Sequence, residues 1–529
     1  MEQKRTWLPH LENSIPEKLN GNKISMYAIA LEGWRRGLTL KFSYIFADDK
    51  IKVVYSLANE EKEHQFAVSR GDKVTKEAIS ICINKDITKE YLEKANVPVP
   101  EGKGFNEAQA DSDIIQYAKE LGFPVVIKPT DGLSGKGVVV NIQNEEMLRE
   151  AISYVREQLA YSNVVVERYF EGEDFRIYIM GDQVIGAVTR VPANVVGDGK
   201  RTIKQLIKLK NKARNKNPNL QRRPIKLDHE LEKTLNLINY TIDSIPSKGE
   251  RVILNTKSNI STGGEPVDVT DQLTPEIKKI AVQAAKAIPG LIHCAVDMLV
   301  DKENNNGVVL EINSKPQIGA HLFPMEGKAV NIPRAIIDYY FPETKEDPIP
   351  HRDMYTFDIM EILNILTNGI AKEVKVPRIP KLRQSFKCYT VSGRVQGVGY
   401  QRWVKKIANK LKLHGFVKNL SNGDVQIVVA GYVGNVKKMR SILESESPLK
   451  AVVKNVKEQN WEKPVQIGFK QILDEIDLED YEKLKKDKLT LEQEIKALEQ
   501  KYKEIASSRT WRISQPVRKI LDVLRKTGR

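Results

Sequence analysis

Asp297, Glu311 and Asn313 carry the strongest chemical signal in this sequence of 529 residues. They stand in VDMLV and VVLEINSKP, two apolar runs separated by the polar turn DKENNNG. Glu311 and Asn313 sit at alternate positions, so the pleat of a strand points both to one side of a sheet. A hairpin would bring Asp297 beside them. Two carboxylates and an amide oxygen make a hard-oxygen set suited to Mg²⁺, with triphosphate oxygens completing the shell. An acidic pair at a strand end is otherwise a solvated edge. A second signal weighs against that bland reading. TDGLSGKG places Gly132, Gly135 and Gly137 between two apolar runs, with Lys128 before the loop and Lys136 inside it. Backbone N–H groups in such a loop can approach phosphate oxygens, and a lysine adds a point charge. The spacing is neither GxxxxGK[ST] nor GxGxxG. Taken alone, the loop is equally a tight hairpin needing positive φ.

These side chains need an α+β scaffold to converge. Residues 1 to about 75 read as a small mixed unit. MYAIALEGWRRG is a short amphipathic helix, LKFSYIF and KIKVVYSL are strands, and HQFAVSRGDKV is a further strand and turn. Helical DITKEYLEKAN stops at VPVPEG, and a helix around DIIQYAKELG precedes the strand PVVIKP. After the glycine loop come VVVNI, the helix EEMLREAISYVREQLA and the strand VVVERYF. RIYIMGD and VIGAVTRVP read as a hairpin. The helix TPEIKKIAVQAAKAI leads into the two strands of the metal set, and IPRAIIDYYF closes this part. The hairpin between the last two strands argues against a purely parallel sheet.

With these pieces in order, residues from about Cys82 to Pro342 resemble an ATP-grasp ligase domain. The closest resemblance is to the ATP-grasp module of cyanophycin synthetases and of the bacterial fused glutathione synthetases. It rests on NKDITKEYLEKANVPVPEG, PVVIKPTDGLSGKGV, VVVERYFEGEDFRIYI, RVPANVVGDGKRTI, NISTGGEPVDVTD, and AVDMLV with EINSKPQIGAHLFPMEGK. The resemblance implies two α+β lobes with ATP between them, and ATP with Mg²⁺ or Mn²⁺ as cofactors. A substrate carboxylate would attack the γ-phosphate, and an amine would displace phosphate from the acylphosphate. Lys85 and Lys128 would hold the phosphates, and Gly135, Lys136 and Gly137 would form the lid. Glu167 would close the strand that edges the adenine, and Asp174 would bind the ribose. Asp297, Glu311 and Asn313 would ligate magnesium. Arg176 and Arg251 would be catalytic, neutralising the transferring phosphoryl group, unless they are structural salt-bridge arginines. Arg190, Asn259, Ser261, Thr262, Gly263 and Gly264 would shape the acceptor site, STGG being otherwise only a turn. The phosphate loop of a second, Mur-type ligase domain is missing, and residues 1–80 are too few for a cysteine-ligating domain. The expectation is a stand-alone carboxylate–amine ligase.

Composition bounds the alternatives. The formal net charge is +15, from 84 Lys and Arg against 69 Asp and Glu. That suits polyphosphates, anionic membrane surfaces or nucleic acid without choosing among them. Between Arg201 and Lys226 stand ten basic side chains and no acid. They form either a solvated face or an anion-facing loop flanking the acceptor site, which favours an acidic or oligomeric acceptor. No helix-turn-helix, RRM or zinc-finger pattern supports nucleic acid as a partner. Cys82, Cys294 and Cys388 are spaced as ordinary core residues, and the histidines form no metal motif. No apolar run approaches the length needed to cross a bilayer. The amino end lacks an apolar signal region, so a cytoplasmic protein is expected.

After the linker PETKEDPIPHRD, about 90 residues from roughly Pro380 follow the order strand, helix, strand, strand, helix, strand. That is a ferredoxin-like arrangement. SGRVQGVGYQRWV with GFVKNLSNGDVQI resembles acylphosphatase, whose loop wraps a phosphate that an arginine holds while an asparagine orients water. Val395, Gly397 and Gly399 match the loop and Asn419 the asparagine, but Gln401 occupies the arginine's position. Arg402, one residue on along a helix, is turned about 100° away. Glutamine cannot supply a bidentate cationic fork, so hydrolysis is not expected and anion binding or docking is. Leu484, Leu491, Ile495, Leu498, Tyr502 and Ile505 then form a short coiled-coil seam, fit for a homodimer or for packing on the same chain. The tail at 509–529 resembles the basic, aromatic tails of some bacterial glycosyltransferases for surface polysaccharides. It suits an anionic membrane interface at the inner face or a partner glycosyltransferase.

The expected layout is a multidomain α+β chain. A small α/β domain (1–80) precedes the ATP-grasp fold (81–345), a linker with a helix (346–380) and a ferredoxin-like acylphosphatase-type domain (381–471). A coiled-coil helix (472–508) and a basic amphipathic tail (509–529) complete it. The expected partners are a small-molecule or peptide carboxylate and an amine. The competing function is a nucleotide-binding regulatory or scaffold protein with inactive catalytic domains.

Overall fold

The helix Asn22–Arg35 is not amphipathic: every residue from Ile24 to Arg35 is buried. In the computed structural model it lies between the sheet strands Thr39–Ala47 and Lys50–Ala58 and the helix Ile332–Tyr340, so apolar contact surrounds it. Its one fully buried charge is satisfied. Arg35 donates to the carbonyls of His10, Asp353 and Tyr355 at 2.6, 2.7 and 3.0 Å and to Ser14 Oγ at 3.0 Å. The structure describes residues 7–47, 50–130, 137–255, 258–346, 349–380 and 382–473, and part of a helix between 484 and 500.

The chain divides into two units, one of residues 1–383 with 463–467, the other of 384–462 with the residues after 468. In the first unit an antiparallel sheet runs in the order Glu373–Lys375, Thr39–Ala47, Lys50–Ala58, Glu63–Ala67, Arg70–Gly71. Residues 346–380, expected as a linker with a helix, contribute both an edge strand and a packed helix to it. Ile359, Ile362, Leu363 and Leu366 bury one face of the helix Ile359–Thr367 against the first two strands. The strand Glu373–Lys375 then covers what would be an open edge, a common way to protect one. Trp34 Nε1 donates to Pro377 O at 2.8 Å, tying this return segment to the central helix.

Two further sheets make the expected pair of α+β lobes, each with its own core. Gly102–Phe105, Val164–Arg168, Val125–Pro129 and Val139–Ile142 form one, covered by the helices Asp111–Leu121 and Glu145–Ser153. Glu265–Asp268, Gln183–Val191, Glu173–Met180, His293–Asp301 and Asn306–Asn313 form the other, all antiparallel. Phe175, Ile177, Val296, Met298 and Ile312 alternate onto one face, against the helices Lys76–Ile83, Lys85–Lys94 and Pro275–Ala287. The opposite face is left for polar side chains. Among the described residues, no helix is long and apolar enough to cross a membrane.

The second unit has the expected order, Gln384–Arg394, Tyr400–Lys410, His414–Asn419, Val425–Tyr432, Val433–Ser445, Val452–Asn460. A further strand, Phe469–Gln471, pairs in parallel with His414–Asn419. Of the proposed coiled-coil seam, Leu484, Leu491, Ile495 and Leu498 lie on helical backbone with exposed side chains. Tyr502, Ile505 and the tail fall outside the described residues.

Candidate active site

The register of the five-stranded sheet assembles the acidic set. Asp297 stands opposite Glu311 on one neighbouring strand and opposite Arg176 on the other, and Ala295 stands opposite Asn313. Directly opposed residues share a face, as do alternate ones along a strand. Arg176, Asp297, Glu311 and Asn313 therefore share the face turned away from the core. A β-bulge just after Asp297 keeps this true, because Met298 then pairs with Val309 and leaves Leu310 as the extra residue.

Arg176 grips Asp297 with two bonds, Nε to Oδ1 at 2.7 Å and Nη2 to Oδ2 at 2.6 Å. Burial opposes the arginine's charge, but Asp297, Asp174 and Glu311 outweigh it and raise its pKa. Among the described residues Asn313 Nδ2 is buried without a hydrogen-bond partner. Two carboxylates and an amide are hard donors of the kind Mg²⁺ takes, so the residues present fit that ion. Among the described residues no three His, Cys, Asp or Glu side chains cluster for a metal. A site here would thus depend on Asn313 and on ligand oxygens.

A cavity of about 670 Å³ gathers Lys85, Lys128 and Glu167 with Glu311. Asn84 caps the helix that Lys85 opens, its side chain accepting from the N–H groups of Asp86 and Ile87. Lys128 Nζ reaches Glu167 at 2.6 Å across neighbouring strands. Gly137 takes positive φ (79°) at the loop's exit, which a side chain would strain, while Gly135 and Lys136 lie outside the described residues. Asp174 is not among the cavity-lining residues. It accepts from Arg190 Nε at 2.9 Å on the sheet face, its other oxygen is buried with no partner among the described residues, and burial raises its pKa against the pull of Arg190. Arg251, on the strand Arg251–Ile253, reaches Glu326 at 3.3 Å and is half exposed.

At the expected acceptor site, Ile260–Thr262 is a single 3₁₀ turn closed by Gly263 at φ 97°. The N–H groups of Thr262 and Gly264 both donate to Asn259 O, and that of Gly263 to Ile260 O. These amides serve the turn itself; of Ser261 only the backbone is described. Behind the turn, fully buried Arg214 donates to the carbonyls of Gly263 and Gly264 at 2.9 and 3.1 Å, and lies 3.3 Å from Glu265. Lys210 holds the other Glu265 oxygen at 2.8 Å. The basic block is therefore the helix Ile203–Asn215 and its continuation, with some of its cations structural. The signal was available: Ile203, Leu206, Ile207, Lys210 and Arg214 fall on one helical stripe.

Sequence reading also missed a buried pair farther along the same sheet face. Tyr178 Oη and His293 Nδ1 lie 3.1 Å apart, and among the described residues His321 has no hydrogen-bond partner on either ring nitrogen. Burial lowers the pKa of His293 to about 4 and of His321 to about 3, Arg70 and Arg176 respectively adding to the effect. Both rings are neutral at ordinary pH.

In the second unit, Gly397 and Gly399 take positive φ (70° and 78°) in a loop open enough that added methyl groups would meet nothing. Gly399 caps the helix that carries Gln401 and exposed Arg402. Gln396 Nε2 donates to Leu420 O and Asp424 O at 2.8 and 2.7 Å, anchoring this loop to the turn after Asn419. Gln401 Oε1 accepts from Gln471 Nε2 at 2.7 Å, while its own Nε2 is buried with no partner among the described residues.

Residues 83–202 match the phosphoribosylglycinamide synthetase ATP-grasp (A) domain, residues 250–339 the RimK-like ATP-grasp domain, and residues 387–471 acylphosphatase. The chain is 32% identical over 334 residues to the glutathione biosynthesis bifunctional protein GshAB of Clostridium perfringens, covering 60% of this chain and 41% of that protein. It is 30% identical over 332 residues to the cyanophycin synthetase of Trichormus variabilis, covering 62% and 36%. The solved bifunctional glutathione synthetase from Pasteurella multocida is 28% identical over 55% of this chain and 40% of its own, with a TM-score of 0.45. The chain thus spans less than half the length of these curated relatives. It contains an ATP-grasp ligase domain homologous to the modules of cyanophycin synthetases and bifunctional glutathione synthetases, fused to an acylphosphatase-like domain.

Proposed function

We propose that the chain is an ATP- and Mg²⁺-dependent carboxylate–amine ligase. The observation that carries this is the convergence of Asp297, Glu311 and Asn313 on one sheet face, with Glu311 lining the same cavity as Lys85 and Lys128. Asp297, Glu311 and Asn313 would hold Mg²⁺, which would supply charge neutralisation for the triphosphate. The two lysines hold the phosphates. A substrate carboxylate oxygen attacks the γ-phosphorus, the bond to ADP breaks, and an acylphosphate forms. An amine then attacks the acyl carbon, expelling phosphate and losing a proton to leave an amide. Arg251, whose contact with Glu326 is exposed, supplies charge to the transferring group, and Arg176 keeps Asp297 oriented. Arg190, Asn259, Ser261 and Thr262 shape the acceptor end, and Gly263 and Gly264 shape its turn. The acylphosphatase-like domain, with Gln401 in place of a cation, binds an anion without rapid hydrolysis, which would spare the ligase's own intermediate. The seam at 484–505 pairs two copies, and the basic tail holds the enzyme at an anionic membrane surface.

A screen of amino acids, short peptides and uronic acids in pairs tests the activity, reading ADP and phosphate release and identifying products by mass. ADP release that requires both a carboxylate and an amine, with a product lighter than their sum by one water, is the expected result. Nucleotide binding without carboxylate-dependent ADP release from any pair would sink the ligase reading in favour of a regulatory nucleotide-binding role.

A further inference from the structure

The basic helix Ile203–Asn215 divides its cations between two faces. Lys210 and Arg214 turn inward, to Glu265 and to the turn of Gly263 and Gly264. Lys204, Lys208, Lys212 and the capping Lys216 recur every four residues and are exposed. At about 100° per residue they fall on the half of the helix opposite buried Ile203, Ile207 and Arg214. The ion pairs of this segment are those of Arg201, Lys210 and Arg214, so among the described residues these four lysines have no carboxylate partner. Other helices of the chain pair opposite charges at the same spacing, Lys89 with Glu93, Arg149 with Glu145 and Arg440 with Glu444. Here like charge repeats from Lys204 to Lys216, and the first turn carries no acid. Both features oppose helix stability. Among the described residues nothing offsets that cost, whereas an anionic partner would.

The spacing says which anion fits. Successive lysines rise about 6 Å along the axis, and the row spans about 18 Å. Alternate side chains of an extended polypeptide recur on one face at about 6.8 Å. The flexible lysine stems absorb that small mismatch. Other polyanions fit less well. No aromatic residue stands between Arg201 and Lys226, so the row lacks the stacking platforms of a single-stranded nucleic acid site. The inner face of the helix is packed into a core, which keeps it out of a duplex groove. Leu209 is the one large apolar side chain the helix exposes among the described residues, too little to seat it in a bilayer interface.

We infer that Lys204, Lys208, Lys212 and Lys216 form a docking surface for an acidic polypeptide, bound extended with alternate carboxylates on successive lysines. None of the four lines the cavity of Lys85, Lys128 and Glu311, so the surface acts whether or not the chain is a ligase.

Fluorescence anisotropy of the full chain tests this. The probes are a labelled peptide of alternating Glu and Ser, a peptide of the same composition with its Glu residues in one block, a single-stranded oligonucleotide, a DNA duplex, and vesicles of phosphatidylglycerol with phosphatidylcholine. The alternating peptide should bind most tightly, and added salt should weaken it. Lys204→Gln, Lys208→Gln and Lys212→Gln should each weaken it about threefold, the scale of an exposed ion pair, and together about 30-fold. The triple variant should melt no lower than the parent, because it removes like-charge neighbours. Removing the same charge from the exposed face of the helix Pro275–Ala287, as Lys278→Gln, Lys279→Gln and Lys286→Gln, should leave the affinity within about twofold. No binding of the alternating peptide at low salt, an equal loss in this control, equal binding of the blocked peptide, or tighter binding of nucleic acid or vesicles through the same lysines each overturns the inference. So does a lower melting temperature in the triple variant, which would make the lysines part of the fold.

Discussion

Arg176 and Asp297 face each other on adjacent strands and close a two-point fork, with bonds of 2.7 and 2.6 Å. The same carboxylate stands opposite Glu311. Arg176 is therefore the cation that balances these acids on the sheet face. Replacing it by Gln should destabilise the protein by about 3 kcal/mol, the scale for breaking a largely buried ion pair from one side. Because the acids would then lack their cation, Mg²⁺ should raise the melting temperature of Arg176→Gln more than that of the parent. Equal Mg²⁺ shifts in the two proteins would show that the ion does not sit on these carboxylates.

Asp297→Asn and Glu311→Gln preserve shape and remove charge. Each should leave a folded chain whose ADP release falls by about 100-fold or more at limiting Mg²⁺, the scale on which electrostatic stabilisers act. Unchanged turnover in both variants would remove them from the metal set.

The second unit retains an open glycine loop and Asn419 but presents Gln401, held through Oε1 by Gln471. The intact chain should hydrolyse benzoyl phosphate very slowly. Gln401→Arg should raise that rate by about tenfold or more, since a guanidinium restores the missing charge. Brisk hydrolysis by the parent that disappears in Arg402→Ala would mean the neighbouring arginine had replaced it.

His293 and His321 predict acid sensitivity. Their pKa values in the fold are near 4 and 3 against an ordinary 6.5. Below about pH 6.5 the unfolded chain takes up protons that the folded chain refuses, so stability falls as pH falls. Each group contributes up to about 1.4 kcal/mol per pH unit until its folded pKa is reached. Urea midpoints at about pH 7 and pH 5 measure the slope, and His321→Phe should flatten it. Identical slopes in parent and variant would rule His321 out as a contributor.

Deleting residues 509–529 should leave turnover on a small soluble substrate intact and reduce association with anionic vesicles. Each basic residue near such a surface contributes about 1 kcal/mol, and salt screens the attraction. Changing Arg512, Arg518, Lys519 and Arg525 to Glu should abolish vesicle binding at low salt more completely than Trp511→Ala. A salt-insensitive loss on Trp511→Ala alone would point to a protein partner such as a glycosyltransferase, with Trp511 as its buried anchor.

Much of this was legible from local pattern. The alternate spacing of Glu311 and Asn313 puts them on one face whatever surrounds them, and the polar turn at 301–307 makes the hairpin that brings Asp297 across. The order of elements in the acylphosphatase-like unit was equally local, each piece having its own period and punctuation. The helix at 22–35 was misjudged because a surface helix and one covered on both sides differ in what packs against them, which a single segment does not reveal. PETKEDPIPHRD reads as a linker from its prolines and charge, and residues 346–380 as a linker with a helix. Only the sheet's exposed edge explains why Glu373–Lys375 becomes a strand.

By itself the sequence determined most element types, the two homologous domains and the shared face of Glu311 and Asn313, because those depend on neighbours a few residues apart. Tertiary structure alone decided the pairings. Arg176 meets Asp297 across 121 positions and Arg190 meets Asp174 across 16, through strand register. Arg214 lies under the turn of Gly263 and Gly264, and Arg70 beside Ser314, because separate layers pack there. A charge has no preferred partner in sequence. It takes the one that burial leaves within reach, and that choice is made only when the sheets close.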